Sequence, residues 1–69
     1  MKNQIKVGRA ILDLTQEDLA KKVGVSRQTI NSIEKGRYVP STILALKIAT
    51  IFEKPVDEVF KLEEEDWET

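Results

Sequence analysis

The sequence predicts an all-α domain of five short helices, on two kinds of evidence. Capping residues punctuate the chain where helices would begin and end, and apolar side chains recur between them at three- and four-residue intervals. At 69 residues, with 41% apolar and 33% charged side chains, the chain has the size and balance of one small globular domain. The first helix runs from about Asn3 to Leu12, with Ile5, Ile11 and Leu12 apolar. Gly8 interrupts it at a cost of about 1 kcal/mol relative to Ala, a cost that close approach of another helix would justify. Thr15 is an N-cap with Glu17 and Asp18 in the first turn, so a second helix opens at Gln16, carries Leu19, Ala20 and Val23 inward, and stops at Gly24. Ser26 caps a third helix two residues later, reading Arg27 to Lys35 before Gly36. A fourth follows Ser41 and reaches Phe52, with Leu44, Ile48, Ile51 and Phe52 on one stripe that Ile43, Leu46 and Ala49 widen. Pro55 restarts the chain for a fifth helix, Val56 to about Val59. Val59-Phe60-Lys61-Leu62 then alternates in the manner of a short C-terminal strand or an extended tail.

Composition excludes several classes of function. There is no Cys and no His, which removes disulfides, thiolate metal sites, the commonest general base and the commonest zinc ligand. No nucleophile-base pair, metal cluster or glycine-rich phosphate loop is present, so neither an enzyme nor a bound cofactor is expected. No apolar run approaches the roughly 20 residues of a membrane span, and Met1 to Ile5 give way at once to mixed charge, unlike a secretory signal. A cytoplasmic protein without membrane contact is the expectation.

The net charge of −1 conceals an asymmetry. Residues 1–56 carry ten basic side chains against five acidic ones, about +5, whereas Asp57 onward carries seven acids against Lys61 alone, −6. A basic body with an acidic end is suited to a polyanionic partner in a way the total charge does not reveal.

The third helix offers such a partner a surface. Ile30 and Ile33 point inward, while Arg27, Asn31 and Lys35 lie on one i, i+4 line and Gln28 and Ser32 on the next. Solvated faces favour Glu and Lys; this one presents Arg27, Gln28, Thr29, Asn31 and Ser32, whose donors and acceptors can read base edges. A merely solvated face is the alternative. The preceding helix ends in Gly24, and Val25 sits in a turn of about three residues, so the two helices form a helix-turn-helix whose second member enters the major groove. Ala20 is small where they cross.

Leu14-Thr15-Gln16-Glu17-Asp18-Leu19-Ala20, Val23-Gly24-Val25-Ser26-Arg27-Gln28-Thr29-Ile30 and Ile33-Glu34-Lys35-Gly36 closely resemble the Cro/cI-type, or xenobiotic-response-element, helix-turn-helix family. Tyr38-Val39-Pro40-Ser41 leading into Leu44-Ala45-Leu46-Lys47-Ile48-Ala49 is similar to that family's fourth helix. The resemblance implies a five-helix, lambda-repressor-like DNA-binding domain over residues 1–62, with its motif at 16–35, followed by an acidic tail at 63–69. It further implies that Gln16 faces a phosphate, that Ser26 caps the recognition helix beside the backbone, and that Arg27 and Gln28 reach bases first, followed by Asn31 and Ser32. Lys35, Arg37, Tyr38 and Ser41 fall where the family touches backbone, and Arg9 and Glu34 fall where it pairs the first and third helices. Each has a plainer reading: Gln16 as a helix-start residue, Ser26 as a cap alone, Lys35 and Arg37 as surface charges, Tyr38 as cover for the core edge.

One recognition helix spans few base pairs, so specificity calls for two copies about 34 Å apart on a palindromic operator, and hence a homodimer. The broad fourth-helix stripe, with Ile51, Val59, Phe60 and Leu62, is the expected interface, through strand pairing between copies in one form; closure of the protomer's own core is the other reading of Phe60 and Leu62. Trp67 either joins such an interface or stays mobile. The acidic tail reads as a solvated terminus that repels non-specific DNA. No small-molecule effector site is evident. Compact single-domain members of the family make repression the expected mode, with a protein-interaction or antitoxin-like module on the same scaffold as the rival.

Overall fold

In the computed structural model, which describes residues 1–68, the elements run β1 (Lys2–Asn3), α1 (Ile5–Leu12), α2 (Gln16–Val23), α3 (Arg27–Glu34), α4 (Thr42–Ile51), α5 (Val56–Val59), β2 (Phe60–Lys61) and a 3₁₀ turn at Glu64–Trp67. Three caps lie where the sequence places them. Thr15 Oγ1 accepts the Asp18 N–H at 3.0 Å while the Asp18 carboxylate accepts the Thr15 N–H at 3.0 Å, a reciprocal pair that satisfies two otherwise free donors. Ser26 Oγ accepts from Thr29 N–H and Ser41 Oγ from Leu44 N–H, each at 3.1 Å. Gly24 adopts φ +78°, a left-handed conformation that a side chain would strain, and both it and Val25 donate backbone N–H groups to the Ala20 carbonyl. The tight turn between α2 and α3 is thus set by one glycine.

Six apolar side chains, Ile5, Leu19, Ile30, Ile33, Ile48 and Val59, are sealed from solvent, and every helix contributes at least one. The largest helix-helix contact is α2 on α3, which fixes the helix-turn-helix angle. Gly8 is buried against the ring of Phe52; a Cβ there would lie 2.7 Å from two ring carbons. That contact is the close approach that accounts for a glycine inside α1.

Several sequence expectations are corrected. α1 begins at Ile5 rather than Asn3, because Lys2–Asn3 pairs antiparallel with Phe60–Lys61 in the register Lys2↔Lys61, Asn3↔Phe60. Asn3 instead works from outside the helix: its Oδ1 accepts the Ile5 N–H, and its Nδ2 donates to the Ile33 carbonyl at 2.9 Å. α3 ends at Glu34 with Lys35 as its cap, and α4 ends at Ile51 with Phe52 as its cap. The strand near residue 60 exists but finds its partner within the protomer, and Gln4 N–H adds a bond to the Val59 carbonyl at 2.8 Å. Val59 and Phe60, at 1% and 8% exposure, therefore close the protomer's own core and are not displayed to a second copy.

The acidic segment is ordered rather than loose. The Met1 ammonium meets Glu63 at 2.9 Å and Asp66 at 3.2 Å, and Glu63 N–H donates to Asp66 Oδ2 at 2.7 Å. The last residue of the expected tail, Thr69, lies outside the described residues. No helix of the described residues is long and apolar enough to cross a membrane.

Candidate nucleic-acid interface

The exposed face of α3 is held by a polar bracket reaching from two other helices. Arg9 of α1 makes a forked contact with Glu34, Nε to Oε2 at 2.7 Å and a terminal nitrogen to Oε1 at 3.1 Å, and its other terminal nitrogen donates to the Leu14 carbonyl at 3.0 Å. The side chains are 16% and 9% exposed, so water competes weakly for either. The hydrogen bond to Glu34 holds the Arg9 guanidinium above its already high range, so it is charged at any working pH.

Gln16, at the start of α2, completes the bracket: its Nε2 donates to Asn31 Oδ1 at 3.2 Å and to Glu34 Oε1 at 3.3 Å. Side chains from α1, α2 and α3 thereby converge on one point, and Asn3 ties the N-terminal strand to the end of α3 through the Ile33 carbonyl. The Arg9–Glu34 pair joins the first and third helices, at the two positions where the family resemblance implies a pair. The Gln16–Asn31 link and the role of Asn3 leave no local signal in the sequence, because the bonded residues are 15 and 30 positions apart.

On this frame, Arg27 and Gln28 are exposed at the first turn of α3, while Thr29, Asn31 and Ser32 are half-buried behind them. Two open clefts flank the helix. One, about 560 Å³, runs between Arg9, Asp13, Leu14, Thr15, Gln16, Glu17 and Arg27; the other, about 300 Å³, between Ser26, Gln28, Thr29, Ser32, Arg37 and Tyr38. Arg27 therefore faces the α2 side with Gln16, and Gln28 faces the loop side with Arg37 and Tyr38. Ser41 is exposed at the start of α4 and shares a further cleft with Thr29 and Tyr38. Lys35 is exposed at the end of α3.

The Ser26 and Thr29 hydroxyls are 2.9 Å apart, and both remain at the surface edge of the cap. Glu34 is occupied by Arg9, so its charge does not oppose an anion on this face, whereas Arg27, Lys35 and Arg37 have no carboxylate within ion-pair distance among the described residues. A ridge of hydrogen-bonding side chains between two clefts, with unpaired cations at its margins, can place base-reading groups in a groove while its walls meet phosphates.

A helix-turn-helix family profile matches residues 5–59. Over 66 residues the chain is 56% identical to an uncharacterised HTH-type transcriptional regulator of Methanocaldococcus jannaschii, covering 96% of this chain and 100% of that one. It is 53% identical over 66 residues to the uncharacterised HTH-type transcriptional regulator YgzD of Bacillus subtilis, again covering 96% and 100% of the two chains. In three dimensions it is similar to the restriction-modification controller protein C.AhdI of Aeromonas hydrophila, with a TM-score of 0.75, 30% identity, and coverage of 83% of this chain and 86% of that one.

Proposed function

The chain belongs to the Cro/cI-type helix-turn-helix family of DNA-binding transcriptional regulators, and on that footing we propose that it is a cytoplasmic repressor, acting as a homodimer on a palindromic operator. The observation that carries the reading is the bracketed ridge of α3: Arg27 and Gln28 are free in solvent, while Gln16, Glu34 and Arg9 hold the helix beneath them. Rigid display of unpaired bidentate groups lowers the ordering cost of base contact. In this reading Arg27 and Gln28 specify, with Thr29, Asn31 and Ser32 behind them. Ser26, Lys35, Arg37, Tyr38 and Ser41 meet the backbone on either side and set register, and Gln16, whose side-chain amide is held by Asn31 and Glu34, joins them through its main-chain N–H at the start of α2. Occupancy of the operator then excludes polymerase, and the protein acts by binding rather than by catalysis. With Val59 and Phe60 committed to the core, the dimer surface falls to Ile51 and Leu62 and the outer face of α4.

The experiment is DNA affinity for the promoter upstream of the protein's own coding region, across a salt series, for wild type, Arg27→Ala and Gln28→Ala. Each substitution is expected to cost about 1 to 3 kcal/mol at the operator with little change on random DNA. Weak binding that neither substitution alters would instead favour a protein-interaction module on the same scaffold.

A further inference from the structure

The outer face of α4 carries an open apolar groove of about 400 Å³ against the end of α2. Val23, Ile43, Leu46 and Ile51 line it, with Lys22 and Lys47 at its rim. Ile43 and Leu46 are 70% and 50% exposed, and neither lysine has a carboxylate within ion-pair distance among the described residues. A groove with an apolar floor and a positive rim is complementary to an acidic segment that carries a large apolar side chain.

The chain itself holds such a segment. Leu62 and Trp67 are 61% and 76% exposed at the two ends of a run containing Glu63, Glu64, Glu65 and Asp66. The Met1 ammonium and the Glu63–Asp66 hydrogen bonds fix this turn, so Trp67 is displayed from an ordered base and pays little further ordering cost on docking. A second groove between α1 and α5, lined by Val7, Ile11 and Phe52, is smaller, about 200 Å³, and carries one charge of each sign, Lys54 and Glu58, so it lacks the doubly positive rim that would attract the same segment.

We propose that the C-terminal turn of one copy seats Trp67 in the Lys22–Lys47 groove of a second copy, each protomer giving its turn and receiving its partner's. This rests on the homodimer reading and specifies its contact. Indole over an ammonium group adds cation–π attraction to the burial, and the tail carboxylates pair with the rim. Two tryptophans that each bury about 150 to 250 Å², with a matching area of groove, give a total of about 600 to 1,000 Å², below a standard interface. The dimer is therefore weak in free solution and is completed when both copies occupy one operator.

Trp67 is the only tryptophan in the chain and reports directly on its own burial. The test follows its emission with protein concentration beside sedimentation equilibrium of wild type, Trp67→Ala and Lys22→Glu, with a mixture of Lys22→Glu and the Glu64→Lys, Glu65→Lys double variant. Emission should shift to the blue over the range where dimer forms. Loss of the indole should weaken association about thirtyfold or more, as removal of an interface anchor does. Lys22→Glu should weaken it about two- to fivefold, with recovery in the charge-swapped mixture. A dimer whose Trp67 emission stays that of hydrated indole, and whose affinity survives Trp67→Ala within twofold, overturns this contact and leaves the homodimer standing. A chain that stays monomeric both free and on operator DNA overturns the homodimer as well.

Discussion

Replacing Glu34 with Gln removes one charge and leaves the guanidinium of Arg9, 16% exposed, without its counter-ion. Breaking a fully buried pair costs about 3 to 5 kcal/mol, and an exposed one no more than about 1. With both partners mostly shielded and the contact forked, an intermediate cost of about 2 kcal/mol follows for Glu34→Gln. A chain of 69 residues has roughly 3 to 10 kcal/mol of total stability, so this is a large share of it. At about 4 to 8 °C per kcal/mol, Tm should fall by about 8 to 16 °C. Urea unfolding of Glu34→Gln, Arg9→Met and the double variant gives the coupling between the two positions. The double variant should be at least about 1 kcal/mol less destabilised than the sum of the singles, since it removes the stranded charge together with its partner. A loss below about 0.5 kcal/mol for Glu34→Gln, or strict additivity, would refute the view that this pair holds α3 in place.

Gly8→Ala gains about 1 kcal/mol of helix propensity but drives a methyl group to 2.7 Å from the Phe52 ring, an overpacking cost of about 1 to 3 kcal/mol; net destabilisation is expected in thermal unfolding, and stabilisation would show that the ring moves freely. Lys35→Ala should lower the slope of log affinity against log salt by about 0.9 and leave the ratio of operator to random DNA unchanged, as measured by titration at several salt concentrations. The terminal clamp should hold within a pH window. The hydrogen bond to Glu63 raises the Met1 ammonium above its usual range, so its contribution is full below about pH 8 and is lost as pH climbs through the raised value. The Glu63 N–H holds Asp66 below the usual carboxylate range, so that contribution is present above about pH 4 and is lost as pH falls through the lowered value. Hydrogen exchange at the Asp66 amide should therefore be slowest between these limits relative to the intrinsic rate, and a flat protection factor across them would contradict the clamp.

Helices were legible because their signals are local. Thr15, Ser26 and Ser41 lie immediately before the segments they cap, and Gly24 carries in its own φ angle the turn that separates α2 from α3. The same locality made Arg27 and Gln28 readable as displayed groups, since Ile30 and Ile33 fix which side of the helix is buried. What escaped was contact across long stretches of chain. Nothing near Asn3 signals that its amide reaches the Ile33 carbonyl, and nothing near Lys2 signals a strand partner at Lys61. A two-residue strand has too little pattern to distinguish pairing within a protomer from pairing between copies.

That ambiguity changes where a second copy can bind. The alternation at Val59 to Leu62 is compatible with a strand shared between protomers, but one edge of β2 is already bonded to β1, and Val59 and Phe60 are buried in the same core cluster as Ile5. The unsatisfied apolar area lies instead on the side of α4 that faces solvent, where Ile43 and Leu46 widen the stripe beyond what one core can cover. The acidic end gains a use by the same reasoning. Glu63 and Asp66 are spent on the Met1 ammonium, which orders the turn and leaves Trp67 outside it. An indole exposed at the end of an ordered acidic turn and an apolar groove rimmed by unpaired lysines are each costly for a lone protomer, and seating one in the other removes both costs at once.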